Sequence, residues 1–517
     1  MGKKIFTFID LFAGIGGFKQ ALDSNGGVCV GYSEIAKDAI DVYCDNFNIS
    51  PEENFGDITK IKELPPHDLL TAGVPCQSWS IAGRNLGFDD DRGQLWNDTI
   101  YLLQQSKPKA FIFENVKGLY DPRNKEALDY ILARINEAGY HAKSYMVNSY
   151  DYGVPQNRER IYIIGFREEI YFKRFNLPLP IPHIAKTTLA EVVGFNFEET
   201  AHIKAVQMGL FDELPESRGM SLSSQGGFND YFLFNDIRNG DTTIHSWDII
   251  ETTERQKNIC LLLLKNRRKS QYGKLDGNPL SLKHFHALDP TISELELDEL
   301  VKLNILKAEE YKFEINEYKT DLLTEDENVI LSRFSHGLQM DDLKVDRLLK
   351  VKKIKINQVI KSLKEKEIIK CTETRYDFKN KKISTGLNGI NRIILPTSKV
   401  YPTLVASDSN DYIATKTIEA TTNEEYKEKF LAEIYKTGDY RKITKTEACL
   451  IQGFPNDFRL PETRSRWMKL IGNSVSVPVI DNLCKAIVET GVFEEVEIDG
   501  NNENPHSIEN ELKIGLI

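Results

Sequence analysis

A cysteine held between a proline and a glutamine in GVPCQSWS, residues 73–80, is the first feature of this 517-residue chain that asks for a chemical explanation. Free cysteine mostly behaves as a small buried hydrophobe. Here, however, the apolar stretch Leu69 to Val74 reads as a buried strand, and Pro75 fixes φ and removes a donor as that strand ends. Gln77, Ser78 and Ser80 then make the following loop rich in hydrogen-bonding groups, so Cys76 stands where a nucleophile belongs. An ordinary thiol has a pKa near about 8.5 and is mostly un-ionised at neutral pH, so nearby positive charge or helix dipoles should assist it. Glu114 ends an AFIF strand in FENV, and QNRER sets Gln156, Arg158 and Arg160 before the strand IYIIG. All of these lie at or near strand ends. Taken singly, Glu114 is equally a strand-end carboxylate paired with an arginine, and the arginines are surface residues.

A second group suggests a bound cofactor. In FIDLFAGIGGF, residues 8–18, an apolar strand runs into Gly14-Ile15-Gly16-Gly17 and then a helix, and glycine lets backbone approach a ligand closely. Twenty residues past Gly14, at the end of the next strand, Glu34 is placed to accept hydrogen bonds from ribose hydroxyls, and GDIT supplies a second acid, Asp57. The loop lacks the GK[ST] ending of a triphosphate site and departs from GxGxxG at its third glycine. An adenosine-bearing cofactor without a long phosphate chain fits better than ATP, GTP, a flavin or a nicotinamide; a tight turn of any α/β protein is the plain alternative.

The elements that must position these residues follow from periodicity. Residues 4–166 alternate strands with helices: FTFIDLF, helix 16–24; VCVGYSE, helix 36–47; DLLTAGV, helix 95–106; AFIFEN, helix 124–138; then HAKSYMV and RIYIIGF. This predicts an α/β fold, a doubly wound and mostly parallel sheet with helices on both faces, whose ligands bind beyond the carboxyl ends of the strands. The pattern fades near residue 180, where NLPLPIPH reads as a linker, and resumes near 440. The expected organisation is a catalytic and cofactor domain from residues 1–180 and 436–492, an inserted region at 185–435, and an acidic, frayed tail at 493–517.

Bulk composition agrees with a multi-domain globular protein: 41% apolar and 28% charged residues. No apolar run approaches the roughly 20 residues of a membrane span, and MGKKIFTFID leads into a strand rather than a signal peptide, so a cytoplasmic location is expected. The seven cysteines are scattered without a CxxC pair, which argues against a disulfide framework or a metal cluster. A net charge of −11 neither favours nor excludes nucleic acid, because local basic patches decide binding.

In order along the chain, FIDLFAGIGGF, GVPCQSWS, DDRGQLW, FENV, DYGVPQNRERIYIIGF, RKITKTEACLIQGFP and GNSVSVPV resemble the motif series of the DNA cytosine-5 methyltransferases, over about residues 4–166 and 440–485. The resemblance implies that Cys76 adds to C6 of a cytosine so that C5 can take a methyl group from S-adenosylmethionine, without a metal. Glu114, if protonated, would bond N3, and Arg160, with Arg158 beside it, would bind the O2 edge or hold Glu114. Phe12 would stack on the adenine, Glu34 hold the ribose and Asp57 bond the adenine amino group. Gly14 and Gly16 would leave room for the methionine moiety. Pro75 and Leu95 would line the pocket, and Asn473 and Val475 would complete it, which requires the last helix to pack back beside the first strand. The cytosine must leave the duplex stack before a thiol can reach C6. Ser80, Gly83 and Arg84 resemble the family's mobile loop over the DNA.

Residues 185–435 occupy the place of the family's target-recognition region. YPTLVASDSNDYIAT puts Thr403 and Leu404, and the QNRER motif Gln156, among the expected DNA contacts; a hairpin with an SDSND turn is compatible with that role. KNRRKSQYGK, residues 265–274, suits phosphates or guanine edges, or a solvated helix end. At about 325–380, EDENVILSRFS, DDLKVDRLLK and KINQVIKSLKEKEIIK read as three helices and CTETRYDFKNKKIST as a strand pair with a basic turn, a winged-helix-like order that is either a DNA module or a charged spacer. The resemblance implies a monomer acting on double-stranded DNA, of restriction-modification, phage or solitary type, any cognate restriction endonuclease being a functional and not a physical partner. Alternatives are a tRNA cytosine-5 methyltransferase, usually more compact, and an inactive DNA-binding homologue, against which intact Cys76, Glu114 and Arg160 argue.

Overall fold

The computed structural model describes residues 5–75, 91–182, 185–195, 231–233, 244–379 and 390–494. Its first third is built from β1 (Phe6–Leu11), α1 (Gly17–Ser24), β2 (Gly27–Ser33), α2 (Lys37–Phe47), β3 (Leu69–Gly73), α3 (Asp91–Ser106), β4 (Ala110–Val116), α4 (Lys125–Glu137), β5 (His141–Asn148), the two-residue β6 (Gln156–Asn157) and β7 (Glu159–Phe166). Six of these strands form one sheet in the order β2-β1-β3-β4-β7-β5, parallel from β2 to β4, with β7 antiparallel to both its neighbours.

Alternation along the strands sorts side chains to two helical layers. Phe6 and Phe8 of β1, Ile112 of β4 and Ile164 of β7 join α1 and the helix Val477–Glu489 in one buried cluster, through Phe18, Leu22, Ile480 and Leu483. Ile9 and Leu11, Phe111 and Phe113, and Ile163 join α3 and α4 in the other, around Trp96, Ile100 and Ile131. The last helix of the described chain thus lies on α1, in the layer over β1. Residues from the two ends of the chain thus share one helical layer.

The order β2-β1-β3 means that the chain leaves β1 in one direction and returns on its other side. A crevice opens beyond the carboxyl ends of the strands at such a reversal. Four loops converge there, after β1, β2, β3 and β4.

Within the insertion, strands Leu280–Ser281, Leu306–Ile315, Leu338–Gln339 and Ile369–Phe378 make an antiparallel sheet, in the order 338–339, 306–315, 369–378, 280–281. Four sequence expectations are revised. The strand of CTETRYDF pairs with the earlier strands 306–315 and 280–281, and the basic turn at 380–389 lies outside the described residues. DDLKVDRLLK forms two helices, Met340–Val345 and Arg347–Val351, because the Asp346 side chain caps the second by accepting from the Leu349 N–H at 3.0 Å. The YPTLVASDSNDYIAT stretch is no hairpin: Tyr401–Pro402 pairs with β6, while Asp411–Ala414 pairs with Arg392–Ile394 and Tyr440–Arg441. Nor is KNRRKSQYGK wholly a solvated surface, since Arg267 is buried against Asp377 at 2.9 Å.

Candidate active site

The loop after β1 turns through unusual backbone. Phe12 has φ +54°, Gly14 +56° and Gly16 +87°, all left-handed; the first is costly for a residue with a side chain, on the order of 1 kcal/mol. The two glycines do different work. A Cβ on Gly14 would meet nothing within 4 Å, so its face is open to the cavity. One on Gly16 would stand 2.2 Å from the Phe47 ring, so Gly16 lets the loop seat on α2 and does not make room for a ligand, which corrects the role expected of it. Gly17, given no role from sequence, is where Val475 and Ser474 dock: a Cβ there would lie 2.7 Å and 2.8 Å from them.

Glu34, after β2, accepts backbone N–H bonds from Gly14 at 2.9 Å, and from Ile35 and Ala36 at 2.8 Å each. Its own backbone is held on both sides by the Asn54 amide, at 3.0 Å and 2.9 Å. The acid and the glycine loop are therefore one rigid unit. Asp57 accepts from the N–H and hydroxyl of Thr59, which hold its carboxyl below the usual range and keep it ionised.

Beyond β3, Val74 is buried and Pro75 half-buried; the Val74 carbonyl accepts from the buried Asn115 amide at 3.3 Å, tying the segment before Cys76 to the end of β4. Cys76, Ser80, Gly83 and Arg84 themselves lie outside the described residues. On β4, Glu114 faces Arg160, with Arg160 Nε 3.1 Å from Glu114 Oε1. Burial raises the Glu114 carboxyl above its ordinary value despite the opposing pull of Arg160 and then Arg158.

Arg158 does not reach for a base. It is buried, and its guanidinium donates to the carbonyls of Leu404 at 3.0 Å, Gly472 at 3.2 Å and Ser474 at 2.7 Å. One fork thereby joins three distant parts of the chain. Gln156, expected at the DNA, is instead fully buried: its amide donates to the Ile451 carbonyl and Gln452 Oε1 and accepts from the Leu404 N–H, leaving nothing for a base edge. Leu404 is also buried, whereas the half-buried Thr403 donates its hydroxyl to the Asn157 carbonyl at 2.6 Å. The Thr-Leu pair is thus pinned to Asn157 and Arg158, beside β6.

One cavity of about 380 Å³ collects these loops. Phe12, Gly14, Glu34, Asp57, Pro75, Leu95, Glu114, Arg158, Arg160, Asn473 and Val475 all line it, and Gly16 does not. A hydrophobic ring, an acid held on backbone amides, the ionised Asp57 and an open glycine face form a cradle suited to a nucleoside with a short cationic tail. Asn54, Asn115 and Gly17 were missed because their partners, apart from Glu34, are backbone and side chains brought near only by the fold. Among the described residues no group of three or more His, Cys, Asp or Glu side chains is arranged to hold a metal, and no helix is long and apolar enough to cross a membrane.

This is a doubly wound α/β enzyme fold with an adenosine-type cleft and a carboxyl-guanidinium pair at its end. The family model for C-5 cytosine-specific DNA methylase matches residues 6–336 and 338–489. Over 497 residues the chain is 39% identical to the Type II methyltransferase M.HgiBI of Herpetosiphon aurantiacus, covering 95% of this chain and 98% of that one. It is 30% identical over 502 residues to the Type II methyltransferase M.NlaIV of Neisseria lactamica (93% and 99% covered), and 45% identical over 175 residues to M.HhaI of Haemophilus parahaemolyticus (34% and 53% covered). The chain belongs to the C-5 cytosine-specific DNA methylase family.

Proposed function

We propose that this methyltransferase transfers a methyl group to C5 of a cytosine flipped out of a specific duplex DNA site, with Cys76 as nucleophile and Glu114 as proton donor. S-adenosylmethionine, which the cradle fits, supplies the electrophilic methyl group when bound. Phe12 would stack against its adenine, Glu34 and Asp57 take its hydroxyl and amino hydrogens, and Pro75, Leu95, Asn473 and Val475 close the walls. Cys76 Sγ, as thiolate, forms a bond to C6 at the expense of the C5–C6 double bond and makes C5 nucleophilic toward the methyl group; once C5 is methylated, loss of its proton to water restores the double bond and expels the thiolate. Glu114, whose affinity for a proton is raised by burial, donates at N3 to meet the electron density that the Cys76 bond sends into the ring. Arg160 orients the Glu114 carboxyl and limits how far its pKa rises. Arg158 acts as a positioning residue through the carbonyls it holds.

Flipping the base costs roughly a few kcal/mol of stacking and pairing. The segment with Ser80, Gly83 and Arg84 would close over the flipped base and exclude water, and Thr403 would stand beside it. Residues 1–180 with 436–492 form the catalytic domain in this reading, and 185–435 recognise the target. The enzyme works as a cytoplasmic monomer of a restriction-modification system, its endonuclease sharing the site and not a binding surface.

The observation that carries the reading is the convergence of four strand ends on one cavity, with Pro75 and Glu114 both in its wall and Cys76 the residue after Pro75. Exposing an unmethylated plasmid to the enzyme and sequencing after bisulfite conversion tests it. Protected cytosines in one recurring sequence are expected; a uniformly converted plasmid would contradict it.

A further inference from the structure

The module at 306–378 has a core of its own, with Tyr311, Phe313, Ile330, Leu331, Leu343, Val359 and Leu363 in one buried cluster. Its element order after the first strand is helix Glu325–Arg333, strand 338–339, helices Met340–Val345 and Arg347–Val351, helix Ile356–Glu365 and strand 369–378. A winged helix has a helix, a short strand, a helix-turn-helix and then two strands, with the last strand central in the sheet. Here the central strand is Leu306–Ile315, which comes first in the chain, and its first residue Leu306 is the register partner of Phe378 at the module's end. The element order is that of a winged helix opened at the wing and joined to the rest of the chain there.

In that arrangement Ile356–Glu365 holds the position of the reading helix. Val359, Ile360 and Leu363 face inward. Ser362 and Lys366 are used internally, both bonding the buried Glu327 of helix 325–333, at 2.7 Å and 2.6 Å, and Lys364 pairs with Glu310 at 2.6 Å. The exposed face is Asn357, Gln358, Lys361 and Glu365, the last two 3.7 Å apart as neighbours one turn from each other. Asn and Gln are the side chains that bond adenine bidentately in the major groove, and Lys bonds guanine.

The approach to the helix is basic. Residues 344–370 carry ten Lys and Arg against three Asp and Glu, in a chain of net charge −11. Arg347, Lys350, Lys353 and Lys355 are exposed, and among the described residues none lies within 4.0 Å of a carboxylate; Lys352 has only Glu325 at 3.9 Å. Lys312, Lys364 and Lys366, elsewhere in the module, each pair with a glutamate. Leaving four neighbouring cations without a carboxylate costs self-repulsion that a polyanion would relieve.

We infer that this module is a second DNA-reading element: the helix Ile356–Glu365 enters a major groove and reads base edges through Asn357, Gln358 and Lys361, while Arg347, Lys350, Lys352, Lys353 and Lys355 hold phosphates. The inference rests on the reading of the chain as an enzyme of duplex DNA. It predicts that part of the target sequence is read by residues that do not line the catalytic cavity.

Two full-length variants separate the parts. Asn357→Ala/Gln358→Ala/Lys361→Ala should relax base preference about tenfold or more at a short run of positions, read by bisulfite sequencing of a randomised duplex library, with cofactor affinity unchanged. Lys350→Gln/Lys352→Gln/Lys353→Gln/Lys355→Gln should weaken all duplexes alike and reduce the slope of log affinity against log salt by about one for each phosphate that is no longer held. An unchanged slope in the second together with an unchanged preference in the first would overturn the inference. If wild type itself leaves the library unmodified, the underlying function falls, and this falls with it; wild-type methylation with indifferent variants removes only the module's role.

Discussion

Arg160 Nε lies 3.1 Å from Glu114 Oε1, and both side chains are almost withdrawn from solvent. A buried carboxyl beside a fixed guanidinium is pulled two ways: burial raises its pKa and the cation lowers it, with burial the larger effect here. Burial thus raises the carboxyl's affinity for a proton while the guanidinium keeps it oriented.

Glu114→Gln keeps the shape and removes the transferable proton. The turnover number should fall on the order of 10²- to 10⁴-fold while DNA affinity changes little, as measured by single-turnover methyl transfer against filter binding. Arg160→Met removes the cation that lowers the pKa, so the alkaline limb of the rate profile should move to higher pH. A loss of rate with an unmoved limb would make Arg160 a DNA contact and not a partner of Glu114.

Arg158→Ala should destabilise the fold by on the order of 3 kcal/mol in urea unfolding, because three buried carbonyls lose a charged donor at once. Arg158→Lys should not restore it, since one ammonium cannot span all three. Full stability of the lysine variant would contradict the role assigned to the fork.

The glycine loop offers a contrast. Gly14→Ala, with open space beside it but a left-handed φ of +56°, should weaken the cofactor and cost the fold only about 1 kcal/mol. Gly16→Val would drive a side chain into Phe47 and Tyr43 and should lower stability much more than that. Calorimetry of cofactor binding with thermal unfolding of both variants checks the split.

Asp10 sits wholly buried in β1, its Oδ1 bonded by the Thr71 hydroxyl at 3.0 Å, and burial pushes it from 3.8 up to about 8. The folded state keeps a proton that the unfolded chain releases. The stability this contributes is full below about pH 4 and is lost as pH rises towards 8. Asp10→Asn should therefore lose less stability than wild type between pH 5 and 8 in urea titrations. Parallel loss in both proteins would mean that Asp10 is ionised throughout.

Much of the catalytic sheet was legible because alternation and helical spacing are local: FTFIDLF, DLLTAGV and AFIFEN fall on β1, β3 and β4. The carboxyl-end rule then placed Glu34, Pro75 and Glu114 at one edge without any contact being known. Gln156 was misjudged for the opposite reason. An amide after Val-Pro reads as exposed, and residues 404, 451 and 452, some 250 to 300 positions away, engage it. The same distance hid the Arg158 fork and the docking of Val475 on Gly17. Inside the insertion the helices could be read, whereas the strand order could not, since the partner of Ile369–Phe378 precedes it by some 60 residues.

Among the other six cysteines, Cys260, Cys449 and Cys484 are buried with thiols pushed up to about 12, burial also raises Cys29, and none of the six lines the cavity. The central claim is that Cys76 alone forms a bond to the target base. A duplex carrying 5-fluorocytosine at the methylated position tests it directly, because fluorine at C5 blocks the final elimination and freezes the adduct. Intact-mass analysis with peptide mapping should find one duplex strand joined to the protein through Cys76, and no adduct with Cys76→Ala. An adduct on another cysteine, or methyl transfer by the Cys76→Ala variant, would contradict the account.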